Sequence, residues 1–235
     1  MGLLIDRFDV FASGFWLTLQ LCILSGVGAL LLGTLVAVLR ISPLPPLRWV
    51  GTAYVTVVRN APLTVVWFFA AFGLPALGSN ADFLNIPGLN LVFTRLSFDL
   101  PYFRFAVIAL SVYTAAFVCE AIRSGVNAVP PGQAEAGRSL GLTFGQNLRY
   151  VVLPQSWKAA VVPLGSVLIA MIKNSALAGF MGVVGDLSNS AQALVTAEGE
   201  AAIPVFIGIS IGYLVMTMPL GLLLDRLEKR QAVAR

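Results

Sequence analysis

Few side chains in this sequence can do chemistry, and most of those sit inside or at the rim of long apolar runs. Glu120 falls in the last turn of the apolar segment 103–122. Lys173, followed by Asn174 and Ser175, falls within the segment 159–177, and Arg59 stands just before the run that begins at Pro62. A charge in hydrocarbon costs roughly 2.5–3.5 kcal/mol on insertion scales, so each of these groups needs a partner, a polar cavity or the membrane rim. The Lys173 ammonium can attract a carboxylate, and Asn174 and Ser175 beside it add hydrogen-bonding groups. A structural lysine that caps carbonyls, such as those freed near Pro163, is the plainer alternative. For Glu120 an ion pair at the rim is preferred to contact with a solute. For Arg59 an interfacial anchor is the plainer reading.

Composition excludes most other chemistry. Of 235 residues, 58% are hydrophobic and 11% charged, whereas soluble domains carry about 25% charged residues. Histidine is absent, and none of Lys158, Lys173 and Lys229 follows a glycine, so no phosphate-binding GxxxxGK[ST] loop exists. Cys/His metal sites are excluded on the same count. Cys22 and Cys119 both fall in apolar segments, where free cysteine behaves as a small hydrophobe. The net charge of +4 reflects loop bias and implies no nucleic-acid partner.

The elements that must position these groups are membrane helices, since runs long enough for ~30 Å of hydrocarbon recur along the chain. Five spans are expected, at about 15–39, 62–77, 103–122, 159–177 and 204–224, in a single all-α, polytopic transmembrane domain covering 1–235. The first 14 residues predict a short interfacial helix and lack the basic start of a signal peptide. Ser25, Ala29, Gly33 and Ala37 form a small-residue face for close helix approach, and Gly208 and Gly212 form another. Pro62 suits a first helical turn. Residues 78–101 read as an exposed loop, and 182–203, with Asp186, Glu198 and Glu200, as a loop with some helix.

With the N-terminus outside, the inner segments hold Arg40, Arg48, Arg59, Arg123, Arg138, Arg149, Lys158, Arg226, Lys229, Arg230 and Arg235. The outer ones hold only Arg7, Arg95 and Arg104. The positive-inside rule therefore puts the C-terminus and the long polar segment 123–156 in the cytoplasm.

Within that segment, Pro130–Pro154 predicts two short helices about a glycine. Gln133–Leu140 carries helix formers, Gly141 stands where a C-cap needs positive φ, Thr143 and Gln146 fit a capping box, and Pro154 limits the second helix. A surface-lying amphipathic linker is the bland alternative, but such helices are usually richer in Lys and Arg.

These residues carry a resemblance. Glu135, Ala136 and Gly137, then Gly141, Val151, Leu153 and Pro154, resemble the EAA loop of bacterial ABC importer permeases. Gly137 stands for the family's second alanine and Val151 for its isoleucine. The first change loosens a helix by ~1 kcal/mol. Val129-Pro130-Pro131-Gly132-Gln133, Leu153-Pro154-Gln155, Lys173-Asn174-Ser175-Ala176-Leu177, and Arg59-Asn60-Ala61-Pro62-Leu63 are similar to the polar-amino-acid uptake branch, whose first span begins much as Gly14 and Thr18 do here.

The resemblance, over about 10–230, implies a type I ABC importer permease fold with a cytoplasmic coupling helix, in a bacterial cytoplasmic membrane. The partners it implies are a second permease chain, identical or related, two ATPase subunits that carry ATP and Mg, and an extracytoplasmic substrate-binding protein. This chain would then hold no cofactor and catalyse nothing itself. The substrate expected is a polar amino acid, with a lean to glutamate or another acidic or neutral one, because Glu120 lies too near the cytoplasmic end to serve a strongly cationic solute. A proton- or ion-coupled secondary carrier using Glu120 and Lys173 is the alternative. Such carriers usually show paired repeats and more intramembrane carboxylates. A structural membrane subunit without transport leaves Lys173 unexplained.

Overall fold

A computed structural model describes residues 5–76 and 101–233, and all regular structure among them is helical. Of the expected loop 78–101, residues 78–100, with Arg95, lie outside the described residues, as does the end of the expected second span; Pro101 already belongs to the next helix. Among the described residues four helices are long and apolar enough to cross a membrane, and a bent pair makes a fifth if it counts as one span.

Helix α1, Phe8–Ile41, runs 34 residues without a break. The separate interfacial helix expected for residues 1–14 is therefore not separate: no proline interrupts 8–41, and the turns from Phe8 onward join the first span. Its small-residue face is the principal seam of the molecule. Ser25, Ala29, Gly33 and Ala37 are all buried, and a Cβ on Gly33 would come within 2.6 Å of Val118 and 2.8 Å of the Ala115 carbonyl. Those two residues belong to α4, Pro101–Asn127, so the glycine lets two backbones approach as side chains could not.

The stretch 40–61, between the first two expected spans, contains a helix of its own: α2, Pro45–Asn60. It packs on α1 through Gly51, where a Cβ would lie 2.7 Å from Arg40 Cγ, and it reaches α4 through a Tyr54 hydroxyl that donates to the Val112 carbonyl. The next helix, α3, begins at Leu63–Phe68 and continues through a π segment, Phe69–Gly73, to Leu74–Ala76. The two are bent by 104°. Ala61 causes the bend: a residue before proline is pushed out of the helical region, and it sits at φ −76°, ψ 133°. Pro62 accordingly caps α3 rather than lying in its first turn.

Between α4 and the following span come α5, Pro131–Ser139, and α6, Phe144–Asn147. The expected stop at Pro154 does not occur. From α6 the chain passes through a π segment, Leu148–Val152, straight into α7, Leu153–Asn174, and the helix is continuous from Gly145 to Leu177. Proline lacks an N–H and crowds the carbonyl four residues back. A widened π turn, in which the Leu153 N–H donates to the Leu148 carbonyl, accommodates that defect without ending the helix.

Beyond α7 the chain breaks into short 3₁₀ turns, Ser175–Leu177 and Gly179–Met181, then left-handed Gly182 and Gly185. It re-forms as α8, Leu187–Thr196, and α9, Ala202–Val233, which extends the expected span 204–224 at both ends. Gly165 of α7 receives the Leu224 side chain and Gly212 of α9 receives Leu187, so each glycine marks a close crossing.

Candidate functional site

The knob between α4 and α7 is built by local chemistry. The Thr143 N–H donates to Gln146 Oε1 at 2.9 Å and the Gln146 N–H to Thr143 Oγ1 at 3.4 Å, a reciprocal capping box opening α6. Gly141 adopts φ 83° with nothing within 4 Å of a virtual Cβ, so conformation alone requires glycine there. The two short helices are pinned together by Asn147, which is buried and donates from Nδ2 to the Ala134 carbonyl at 2.6 Å. Gly137 makes room for that side chain: a Cβ there would lie 2.7 Å from Asn147 Oδ1. Sequence reasoning treated Gly137 as a mild departure and missed Asn147 as its partner; only contact across the turn relates the two. Glu135, Ala136, Leu153 and Pro154 are exposed, and Leu140 at the tip is 84% exposed. The knob therefore offers a surface shaped by a buried polar pin.

Nearer the membrane interior the structure brings Glu120 and Arg59 together. Glu120 lies two turns before the end of α4, which runs on to Asn127 rather than stopping at 122. Its Oε1 is paired with Arg40 of α1, with Arg59 of α2 at 3.7 Å and with Arg123 at 3.5 Å. The expected structural pairing is thus present, and Arg59 is one of its members. The Arg59 guanidinium also lies 5.6 Å from the centroid of the Phe117 ring.

Lys173, Asn174 and Ser175 point in three directions. Ser175 is fully buried, donating to the Ile172 carbonyl at 2.7 Å and accepting from Cys22 Sγ at 3.4 Å. Asn174 lines a small cavity of about 190 Å³ with Tyr113, Thr114 and Phe117 of α4. Thr114 Oγ1 there is buried without a hydrogen-bond partner. Lys173 is exposed on the last turn of α7, continuing a stripe with exposed Ser166 and Ala170 at helical spacing. The lysine thus stands outside the single chain's core, on the face that adjoins the Asn174 cavity.

A fourth feature was not foreseen as organised. Asp186, read only as a loop acid, is fully buried and caps α8: its carboxylate accepts from the Asn189 N–H at 2.7 Å and from Ser188 Oγ at 2.9 Å. Burial pushes its pKa up to about 6, against the opposing pull of those donors. The Leu187 N–H beside it donates to Thr18 Oγ1 at 3.0 Å, which ties α8 to α1. At the same end Arg7 pairs with Glu198 and, at 3.8 Å, with Glu200.

A bundle of four to five membrane-crossing helices, interrupted by one polar helix–turn–helix knob between the third and fourth, is the architecture of the membrane-spanning subunit of a type I ABC importer. The chain belongs to the family of binding-protein-dependent transport system inner membrane components, whose model matches residues 29–233. It is 42% identical, over 94% of its length and 93% of the relative's, to the glutamate transport system permease protein GluC of Corynebacterium glutamicum. It is 38% identical to the probable glutamine ABC transporter permease protein GlnM of Bacillus subtilis, over 98% and 97% of the two chains. Among solved structures, an amino acid ABC transporter crystallised with histidines superposes with a TM-score of 0.81 at 32% identity, covering 97% of this chain and 96% of that one. The MetNI methionine transporter, at 22% identity and a TM-score of 0.73, shares the fold.

Proposed function

We propose that this chain forms the membrane path of an ATP-driven importer for a polar amino acid, with glutamate or glutamine as its substrate. The observation that carries this reading is the similarity to GluC and GlnM along nearly the whole chain, in company with an intact, pinned knob. The Arg59–Asn60–Ala61–Pro62–Leu63 and Lys173–Asn174–Ser175 segments lie within the matched region.

In this reading the knob, through Glu135, Ala136, Gly137 and Gly141, with Leu153 and Pro154 at its base, docks on a cytoplasmic ATPase that carries ATP and Mg. Two permease chains face each other, and the exposed Ser166–Ala170–Lys173 stripe lines the path between them. The Lys173 ammonium attracts the substrate carboxylate while Asn174 offers hydrogen bonds. Ser175, packed against Cys22, supports the helix end from behind. An extracytoplasmic binding protein delivers the solute to the end that carries Arg7 and Asp186. The N-terminus lies outside and the C-terminus in the cytoplasm.

The test is reconstitution of the chain with its ATPase and binding protein in vesicles, with labelled glutamate, glutamine and arginine offered in turn. Uptake of glutamate or glutamine that requires ATP and survives a proton ionophore is the expected result. Uptake that persists without the ATPase and collapses with the ionophore would instead make the protein a secondary carrier.

A further inference from the structure

The cage around Glu120 holds more positive charge than a structural ion pair needs. Three guanidiniums, from Arg40, Arg59 and Arg123, converge on one carboxylate, and all three approach the same oxygen, Oε1. The sequences of α2 and α4 contain no other acid. The surplus cations border a cavity of about 340 Å³ lined by Arg40, Arg59, Thr56, Asn60, Phe117 and Glu120. That volume is in the range of small-ligand sites. Arg59 is the most exposed member, with its side chain 44% exposed, against 12% for Arg40 and 33% for Arg123.

Phe117 connects this cavity to the one containing Asn174, because its ring forms part of both walls. On one side the ring packs on Tyr113 at 5.1 Å, and on the other it is covered by Arg59. Tyr113, Phe117 and Glu120 recur at i, i+4 and i+7 along one face of α4. Two chambers thus lie in series along that face, a charged one at Glu120 and a mainly apolar one that Asn174 and Thr114 make polar at one edge, with an aromatic ring between them.

Resting on the amino acid import reading above, we infer that the Glu120 cavity is a second, knob-proximal station for the transported solute: Arg59 leaves Glu120 to bind the solute's carboxylate, and Phe117 is the partition between the two stations. Glu120 acts there as an internal substitute for the solute. It neutralises part of the cage when the cavity is empty, and it competes for Arg59, so that the carboxylate is released rather than trapped. Any amino acid carries the group the site recognises, and a second carboxylate on the side chain strengthens the attraction. Charge-assisted hydrogen bonds in a partly dehydrated cavity supply the affinity.

The experiment uses the full complex with ATPase and binding protein in phosphatidylcholine vesicles, with Asn60→Cys as a reporter in the cavity wall. Its modification by a thiol reagent is expected to slow about tenfold, equivalent to ~1.4 kcal/mol, when the transported amino acid is present at saturating concentration. Arg59→Gln in the same background should abolish the protection, and Arg59→Lys should retain part of it. Phe117→Ala should let the solute protect Asn60→Cys even when nucleotide is withheld. Undiminished modification while uptake proceeds would overturn the proposal and leave the import reading intact. Protection produced by phosphatidylglycerol in place of the solute would also overturn it, making the cage a lipid-phosphate site. Failure of the unmodified complex to take up any amino acid would remove the import reading itself, and the station with it.

Discussion

Gly137 and Asn147 illustrate how much a single residue's meaning depends on its neighbour. Helix propensity alone says that Gly137→Ala stabilises α5 by ~1 kcal/mol. The packing says otherwise, because the new Cβ would lie 2.7 Å from Asn147 Oδ1 and would push out the side chain that bonds to Ala134. Gly137→Ala is expected to destabilise the knob by about 1–2 kcal/mol net and to weaken ATPase association, and Asn147→Ala in the same chain should recover part of the loss. A thermal melt and a pull-down with the ATPase check both; an alanine that raises stability would show that the pin does not matter. Lys173 poses the complementary question, since it has no ion-pair partner among the described residues. Lys173→Met should leave the complex assembled and stable while uptake falls about tenfold, the worth of one charge-assisted contact. Equal transport by a well-folded variant would mean that the ammonium serves only the surface.

At the scale of elements, the continuous helix from Gly145 to Leu177 changes how the knob acts. A hinge at Pro154 would have let the knob swing freely against the span. The π segment Leu148–Val152 instead joins α6 to α7 as one helical body, so a push on the knob is transmitted toward Asn174 and Lys173. Under the proposed docking of the ATPase on the knob, coupling would depend on the knob's surface and on its Gly141 turn. Glu135→Lys reverses an exposed charge, and Gly141→Val places a β-branched residue at φ 83°, a strain of roughly 1–2 kcal/mol. Both variants are expected to insert normally and yet to uncouple ATP hydrolysis from uptake in vesicles. Full uptake with both would move the ATPase contact elsewhere. Asp186 organises the opposite end in the same local manner, as a buried cap that binds α8 to the turns after α7.

For the whole molecule, the two ends of the bundle differ in charge as well as in shape. Arg7, Glu198 and Glu200 gather at one end, whereas the knob and the arginine cage occupy the other. The excess of arginine and lysine on the knob side is the basis of the proposed orientation, with the knob in the cytoplasm. Gly145→Cys, at an exposed position with open space around it, should resist an impermeant thiol reagent added to intact cells. Ala197→Cys, exposed near the Arg7 pair, should react. The buried Cys22 and Cys119 are poor competitors for the label. Labelling of Gly145→Cys from outside would invert the topology.

Much of this was determined by the sequence alone, because its causes are local or periodic. Apolar runs of membrane length define the spans, and the small-residue spacing from Ser25 to Ala37 defines the buried face of α1. The Thr143–Gln146 capping box and the Gly141 turn follow from residues within one turn of each other. Proline was legible as a disturbance, but its outcome was not. Ala61–Pro62 bends the chain by 104°, while Pro154 is absorbed by a π turn. The rest belonged to the tertiary structure. Arg40, Arg59 and Glu120 meet only because α1, α2 and α4 converge, with Gly51 letting α2 close on Arg40. Lys173, Asn174 and Ser175 look like one motif in sequence, but successive residues on a helix point about 100° apart, and only the neighbours of α7 decide which of them meets solvent, cavity or core.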